Sequence, residues 1–155
     1  MAGTIAKDTP LIELTLRKYE RPYFDDKRDL VRKFCLSMGI LQPGDSRDVI
    51  VDVLFSLLMA KKERRLLSSE EIKDFVITIR KDRNIPLSGV ASSNIRRQIK
   101  RLRELTLVEK VRNSYRISEF ARIEEIFDEK LQRYIIPSII DRLKEYNRKI
   151  DEEFN

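Results

Sequence analysis

The stretch SSNIRRQIKRLRELTLVEKVRNSYRI, residues 92–117, changes its hydrophobic period midway. Up to Leu105 the apolar residues Ile95, Ile99, Leu102 and Leu105 fall three and four apart, the spacing of one helix face. At about 100° per residue, Arg97, Lys100, Arg101 and Glu104 point away from that stripe, with Asn94, Arg96 and Arg103 on its shoulders. One face therefore docks on a core while the other carries cations outward. Ser92 or Ser93 is expected to cap the helix. From Leu107 the period becomes two, so Val111, Tyr115 and Ile117 are expected inward and Lys110, Arg112 and Arg116 outward. Asn113-Ser114 supplies the turn of a short hairpin, since asparagine tolerates the left-handed conformation of a tight turn.

The charge of the chain is concentrated in the same place. Its 155 residues carry a formal net charge of +6. Residues 92–116 hold eight Lys and Arg against Glu104 and Glu109, so the whole excess sits there and the remainder is balanced. A basic cluster confined to one short segment is the footprint of contact with a polyanion, whereas a merely solvated face intersperses both signs. Hydrophobic residues make up 41%, enough to build a core and to argue against disorder.

Composition also excludes chemistry. The chain has no histidine, one cysteine and four glycines, which removes the commonest general base, cysteine zinc sites, disulfide frameworks and glycine-rich phosphate loops. The carboxylates of Asp25-Asp26 and Glu124-Glu125 are adjacent, so on a helix they diverge by about 100° and form no acid–base pair. No enzymatic activity, cofactor or metal is expected. No apolar run approaches the roughly 20 residues needed to cross a bilayer, and the start, MAGTIAKDTPLIEL, lacks the pattern of a signal peptide. A cytoplasmic protein without membrane contact is expected. Scarce Gln, absent His and Trp, and heavy use of Ile, Lys, Arg and Glu resemble the composition of heat-adapted proteins.

Elsewhere the apolar residues mostly recur at three and four, so most of the chain reads as helix. Leu11, Leu14 and Lys18 suggest a short helix after Pro10, ending before Arg21-Pro22 because the residue before proline is pushed out of the helical region. Residues 25–38 put Leu30, Phe34 and Cys35 on one stripe, with acidic residues in the first turn and Gly39 at the end. Cys35 reads as a small core residue. Asp45 or Ser46 is expected to cap a helix over residues 47–62, whose Ile50, Val53, Leu54, Leu57 and Leu58 make it the most apolar of the chain. Ser68-Ser69-Glu70-Glu71 is a capping-box pattern, followed by Ile72, Phe75, Val76 and Ile79 on an amphipathic helix to about residue 82. Behind the hairpin, Ser118 is expected to cap a helix with Phe120, Ile123 and Phe127. Apolar steps continue through Leu131, Ile135, Ile139, Leu143, Tyr146 and Ile150, and Pro137 must kink that helix or begin a new one.

Helix, capped helix, capped basic helix and basic hairpin, in that order over residues 46–117, resemble the winged helix-turn-helix domain of bacterial and archaeal transcription regulators. Leu102-Arg103-Glu104-Leu105 and Leu107-Val108 match the family's passage from basic helix to hairpin, and Thr106 stands where the family has glycine. Threonine dislikes the left-handed conformation, so this departure predicts a different helix end. The resemblance implies a mainly α fold: a three-helix core with a short β-hairpin wing over residues 46–117, an N-terminal helical extension over residues 1–45, and a C-terminal helical dimerisation segment over residues 118–155.

The resemblance further implies that the third helix enters the major groove of double-stranded DNA while the wing touches phosphate or the minor groove. Carried over by position, Ser93, Asn94, Arg97 and Arg101 would meet base edges. Ser92, Arg96, Lys100, Lys110, Arg112, Asn113 and Arg116 would meet phosphates, which position without specifying. Each can also be read as a solvated side chain or an ion-pair partner of Glu104 or Glu109. Such regulators commonly dimerise outside the winged domain, so Leu131, Ile135, Ile139, Leu143, Tyr146 and Ile150 would form a homodimer seam, although the ladder could instead pack on the N-terminal helices. The leading expectation is a sequence-specific DNA-binding regulator acting as a homodimer. The alternative is a protein-interaction module in a transcription or replication assembly, since a fold does not dictate its use. RNA is disfavoured because no aromatic residues interleave the basic face. No pattern in the chain points to a small-molecule effector.

Overall fold

The computed structural model describes residues 7–155 apart from Phe24. The protein is mainly helical, with a small three-stranded antiparallel sheet. Residues 15–126 form one compact unit, and residues 7–14 with Phe127–Asn155 belong to a second. The first helix is built into the same core as those that follow it.

That helix, α1 (Lys27–Ser37), is preceded by no helix at residues 11–18. A short isolated helix is marginal in water, and the segment is used otherwise. Arg17 donates its backbone N–H to the Ser37 carbonyl at 2.9 Å, and its guanidinium reaches the Leu36 carbonyl at 2.8 Å. A cation is thereby placed on the negative end of α1. Helix α2 (Val49–Lys62) is the central element, with Val49, Ile50, Val51, Val53, Leu54 and Leu57 buried. Its cap position is Asp48, not Asp45 or Ser46, and Asp48 makes no side-chain cap bond.

The Asp48 carboxylate is occupied elsewhere. Together with Asp52, one turn on, it meets two arginines in the interior. Arg28 of α1 donates Nε to Asp52 Oδ1 at 2.7 Å and Nη2 to Asp48 Oδ2 at 3.1 Å. Arg80, from the helix after α2, donates Nη1 to Asp52 Oδ2 at 2.7 Å and to Asp48 Oδ1 at 3.0 Å, and Nε to the Pro86 carbonyl at 2.7 Å. Arg80 is 1% exposed and Asp52 0%. Arg32 of α1, half-buried at the edge, adds Nε to Asp48 Oδ2 at 3.4 Å, so three guanidiniums meet two carboxylates, and no buried side-chain polar atom among the described residues lacks a partner. Burial pushes the Asp48 carboxyl up, but the bond from Arg80 and the charge of Arg28 outweigh it and hold it below the usual value. The cluster ties α1, α2, the following helix and the loop after it into one core.

A two-residue strand, β1 (Leu67–Ser68), follows α2 and was not anticipated. Helix α3 (Ser69–Asp82) starts with the expected capping box: Ser68 Oγ accepts from the Glu71 N–H and Glu71 accepts from the Ser68 N–H. Helix α4 (Ser92–Glu104) is capped by Ala91, so neither Ser92 nor Ser93 is its cap. The Ser92 hydroxyl bonds Glu70 Oε1 at 3.0 Å and Lys73 Nζ at 3.1 Å on α3 instead. Strands β2 (Val108–Val111) and β3 (Ser114–Ile117) form the hairpin, and β3 lies between β1 and β2. Its turn is Arg112-Asn113 rather than Asn113-Ser114, and Arg112 takes the positive φ of 59°. The register sets Lys110 opposite Tyr115 and Val111 opposite Ser114. Directly opposed residues share a face, so Lys110, not Val111, lies on the side of Tyr115 and Ile117, while Val111 shares the other face with Arg116.

The four helices α1 to α4 end alike. In α4 the Leu107 N–H reaches the Leu102 carbonyl at 3.2 Å and the Thr106 N–H the Arg103 carbonyl at 2.9 Å, the paired bonds of a Schellman motif. Gly39, Arg64 and Asn84 hold the corresponding position after α1, α2 and α3, with φ of 70°, 51° and 55°. Thr106 takes φ 63°. The helix therefore ends as glycine would end it, contrary to expectation, because the buried pair Leu102 and Leu107 closes the motif. At Gly39 the freedom is obligatory: an added Cβ would overlap the Thr15 carbonyl oxygen.

After the sheet, Ser118 caps no helix. Its hydroxyl donates to the Thr106 carbonyl at 2.7 Å, and Ser118–Phe120 forms a 3₁₀ turn. Helix α5 (Ile123–Ile126) follows. In the second unit a π-helical segment, Phe127–Ile135, runs into α6 (Ile136–Phe154), and Pro137 lies in the first turn of α6, where its missing N–H costs least. No residue of α6 is buried. No helix among the described residues is long and apolar enough to cross a membrane.

Candidate nucleic-acid interface

Helix α4 is divided lengthwise into three strips. Ile95, Ile99 and Leu102 are buried in the core. Along one shoulder runs an unbroken row of hydrogen bonds. Asn94 Nδ2 donates to the Gly89 carbonyl at 2.7 Å, Gln98 Nε2 to Asn94 Oδ1 at 3.0 Å, and Arg101 Nη1 to Gln98 Oε1 at 2.9 Å. Arg101 Nη2 then donates to the Ile40 carbonyl in the loop after α1. The third strip is exposed: Ser93, Arg96, Arg97, Lys100 and Arg103, with Glu104.

Among the described residues Arg96, Arg97, Lys100 and Arg103 make no ion pair, and Arg97 reaches only Asn94 Oδ1, at 3.4 Å. Arg96 and Lys100 are four apart, while Arg97 and Lys100, and Lys100 and Arg103, are three apart. Like charges so spaced each cost a helix about 0.2–0.5 kcal/mol. The strip thus carries a standing repulsion that an anionic partner would relieve. The hairpin adds Lys110 and Arg112, both exposed, beside the exposed Asn113 at the turn.

The residues singled out from sequence therefore separate into two groups. Ser93, Arg96, Arg97, Lys100, Lys110, Arg112 and Asn113 are exposed on the basic helix and hairpin tip. Ser92, Asn94, Arg101 and Arg116 are committed within the molecule. Arg116 donates Nε to Glu109 Oε2 at 2.6 Å and stacks 4.9 Å over the Phe120 ring. Arg101 spends its guanidinium on Gln98 and Ile40, which suits a residue that positions the loop better than one that reads a base.

One cation of this surface escaped the sequence reading. Arg47 precedes α2, its side chain is 89% exposed, and it lines a cleft of about 320 Å³ with Asn94, Arg97, Gln98 and Arg101. No periodicity marks it, since it stands alone between Asp45-Ser46 and Asp48.

The proposed dimer ladder is also uneven. Leu131 is fully buried in the single chain and has no surface to offer a partner. Ile135 and Ile139 are half-buried, whereas Leu143, Tyr146 and Ile150 are 57%, 67% and 56% exposed. Within the second unit, residues 7–12 line a cleft with Ser138, Ile139, Arg142, Leu143 and Tyr146, so the N-terminal segment faces the middle of the ladder and leaves it partly exposed, whereas Ile150 is not among the cleft's lining. No three His, Cys, Asp or Glu side chains group as metal ligands among the described residues. No protein-family model matches the chain, and neither a curated protein nor a solved structure matches it.

Proposed function

We propose that residues 46–117 form a winged helix-turn-helix domain that binds double-stranded DNA, with α4 in the major groove and the β2–β3 turn on the backbone, and that the protein acts as a homodimeric transcriptional regulator. The observation that carries this reading is the strip of unpaired cations on α4, continued by Lys110 and Arg112 at the hairpin tip. Supporting it is the order of helix, helix, basic helix and hairpin, with the hairpin fastened by β1 rather than hanging free. Arg97 and Ser93, on the outward side of the first turns of α4, are the base-reading candidates. Arg96, Lys100, Arg103, Lys110 and Arg112 are the phosphate contacts. The dimer reading rests on the exposed Leu143, Tyr146 and Ile150 of α6.

The test is a fluorescence titration of a labelled genomic duplex at two salt concentrations. Neutralising about 6–10 phosphates should cost on the order of 10³–10⁵ in affinity between 50 and 200 mM salt. A flat salt response, or no binding at low salt, rejects the DNA reading and leaves the same surface to an acidic protein partner.

A further inference from the structure

We propose that the loop between α1 and α2, residues 38–48, is a second phosphate-contacting element of the same interface, with Arg47 as its contact residue and Arg101 as the residue that positions it. This rests on the DNA-binding reading and extends the interface beyond the winged segment.

The geometry is that of a prepared anion seat. Arg47 and Arg97 both line the cleft of about 320 Å³, and Leu41 and Val49 contribute to its wall. Asp45 is the acidic residue in the lining, and its Oδ1 is engaged by the Arg47 backbone N–H at 2.9 Å. Arg47 Nε lies 3.6 Å from that same oxygen, a loose pair that leaves the guanidinium in solvent. The cleft, with Arg47 and Arg97 in its lining, has ample room for a backbone phosphate. Because Arg47 stands off the shoulder of α4 and not on the helix, it is placed for the strand beside the groove, where contacts position without specifying.

The loop is also held in advance. Ile40 and Leu41 are 2% and 3% exposed. Arg17 donates to the Leu41 carbonyl at 3.2 Å and to Gln42 Oε1 at 2.6 Å, and Arg101 donates to the Ile40 carbonyl. Since the loop backbone is already anchored, little of it needs to be ordered on binding. This gives the segment ahead of α2 a part in recognition and explains why Arg101, on a helix otherwise free with its cations, turns its guanidinium inward.

The experiment measures duplex affinity against salt for the wild type, Arg47→Ala and Arg47→Lys. Arg47→Ala should weaken binding equally on all sequences and lower the slope of log K against log salt by about 0.9, the value of one phosphate, and Arg47→Lys should restore most of the slope. An unchanged slope in Arg47→Ala, with the wild type binding steeply, overturns this inference and leaves the DNA reading standing. A wild type that does not bind overturns both. Millimolar inorganic phosphate at constant ionic strength is the control for a free anion. It should displace duplex no better than chloride, and phosphate-specific displacement lost in Arg47→Ala would make the cleft a small-anion site instead. Arg101→Met should lower affinity with the slope unchanged, since it shifts the loop without removing a phosphate partner, and a slope reduced as in Arg47→Ala would overturn its positioning role.

Discussion

Asp52 lies fully buried in the first turn of α2, and the protein accepts it because two guanidiniums are brought to it from opposite directions along the chain. Desolvating an ion pair is costly, so such a cluster adds little net stability when complete but is expensive to break. Arg80→Ala should therefore lower stability by about 3–5 kcal/mol, seen as a fall in the urea midpoint without a change in m. A loss under about 1 kcal/mol would show that water replaces the guanidinium at no great cost. Thr106 makes the opposite case. A β-branched residue held at φ 63° is strained, and glycine is not, so Thr106→Gly should raise stability by about 1 kcal/mol. A destabilised variant would mean that the threonine methyl and hydroxyl contribute more than the backbone strain costs. Cys35 is the plainest residue of the core: burial pushes its thiol up to about 12, which keeps it protonated and unreactive.

At the scale of elements, α4 and the hairpin should fail differently when their charges are removed. Arg97→Ala should cost about 1–3 kcal/mol on the preferred site and relax preference at one position. Arg112→Ala should weaken all sequences alike. Equal, sequence-independent losses in both, measured over a panel of duplexes, would falsify base readout by Arg97. Much of this architecture was legible because period and capping are local. The switch from Leu105 to Leu107 announced helix then hairpin, and Ser68 with Glu71 announced α3. What stayed hidden depends on distant partners. Asp52 interrupts the run IVDVLF, a polar residue at a core position, and its i,i+4 spacing from Asp48 is a readable signal. Its partners Arg28 and Arg80 are not marked by any local pattern. Strand β1 is two residues long, too short to show a period, and exists through its pairing with Tyr115 and Ser114. The cap of α4 was misplaced because Ser92 found Glu70 and Lys73 on α3 more useful than its own helix. Within the candidate site, exposure of the cations followed from helical geometry, whereas the commitment of Asn94, Gln98 and Arg101 to one row required knowing that the loops at Gly89 and Ile40 lie beside α4.

For the whole molecule the question is whether chains pair. Leu143, Tyr146 and Ile150 on α6 stand in water in the single chain, and a partner copy would bury them. Leu143→Glu would place an unpaired carboxylate in that seam, which costs about several kcal/mol or parts the chains. Multi-angle light scattering should report a dimer for the wild type and a monomer for Leu143→Glu. The variant's unit at residues 15–126 should remain folded, and its DNA affinity should drop because two half-sites are no longer engaged together. A monomeric wild type at tens of micromolar would remove the dimer from the proposal.

The paired arginines and aspartates also make the molecule's response to acid a matter of counting protons. In the intact protein the Asp48 carboxyl is held below its usual value. Its contribution to stability is therefore complete above the unfolded carboxylate pKa of about 3.9 and is lost as pH falls through the lower folded value. The double variant Arg28→Met/Arg32→Met, which keeps long apolar side chains on α1 and also removes the 3.4 Å bond from Arg32 to Asp48, leaves Arg80 alone against two carboxylates, and one of them must take up a proton to stay buried. The folded variant then binds a proton that the unfolded chain does not. Its stability should grow as the solution is acidified from neutrality, by up to about 1.4 kcal/mol per pH unit, over a range where the wild type is nearly indifferent. In that variant a hydrogen ion taken from solvent would occupy the electrical place of an amino acid.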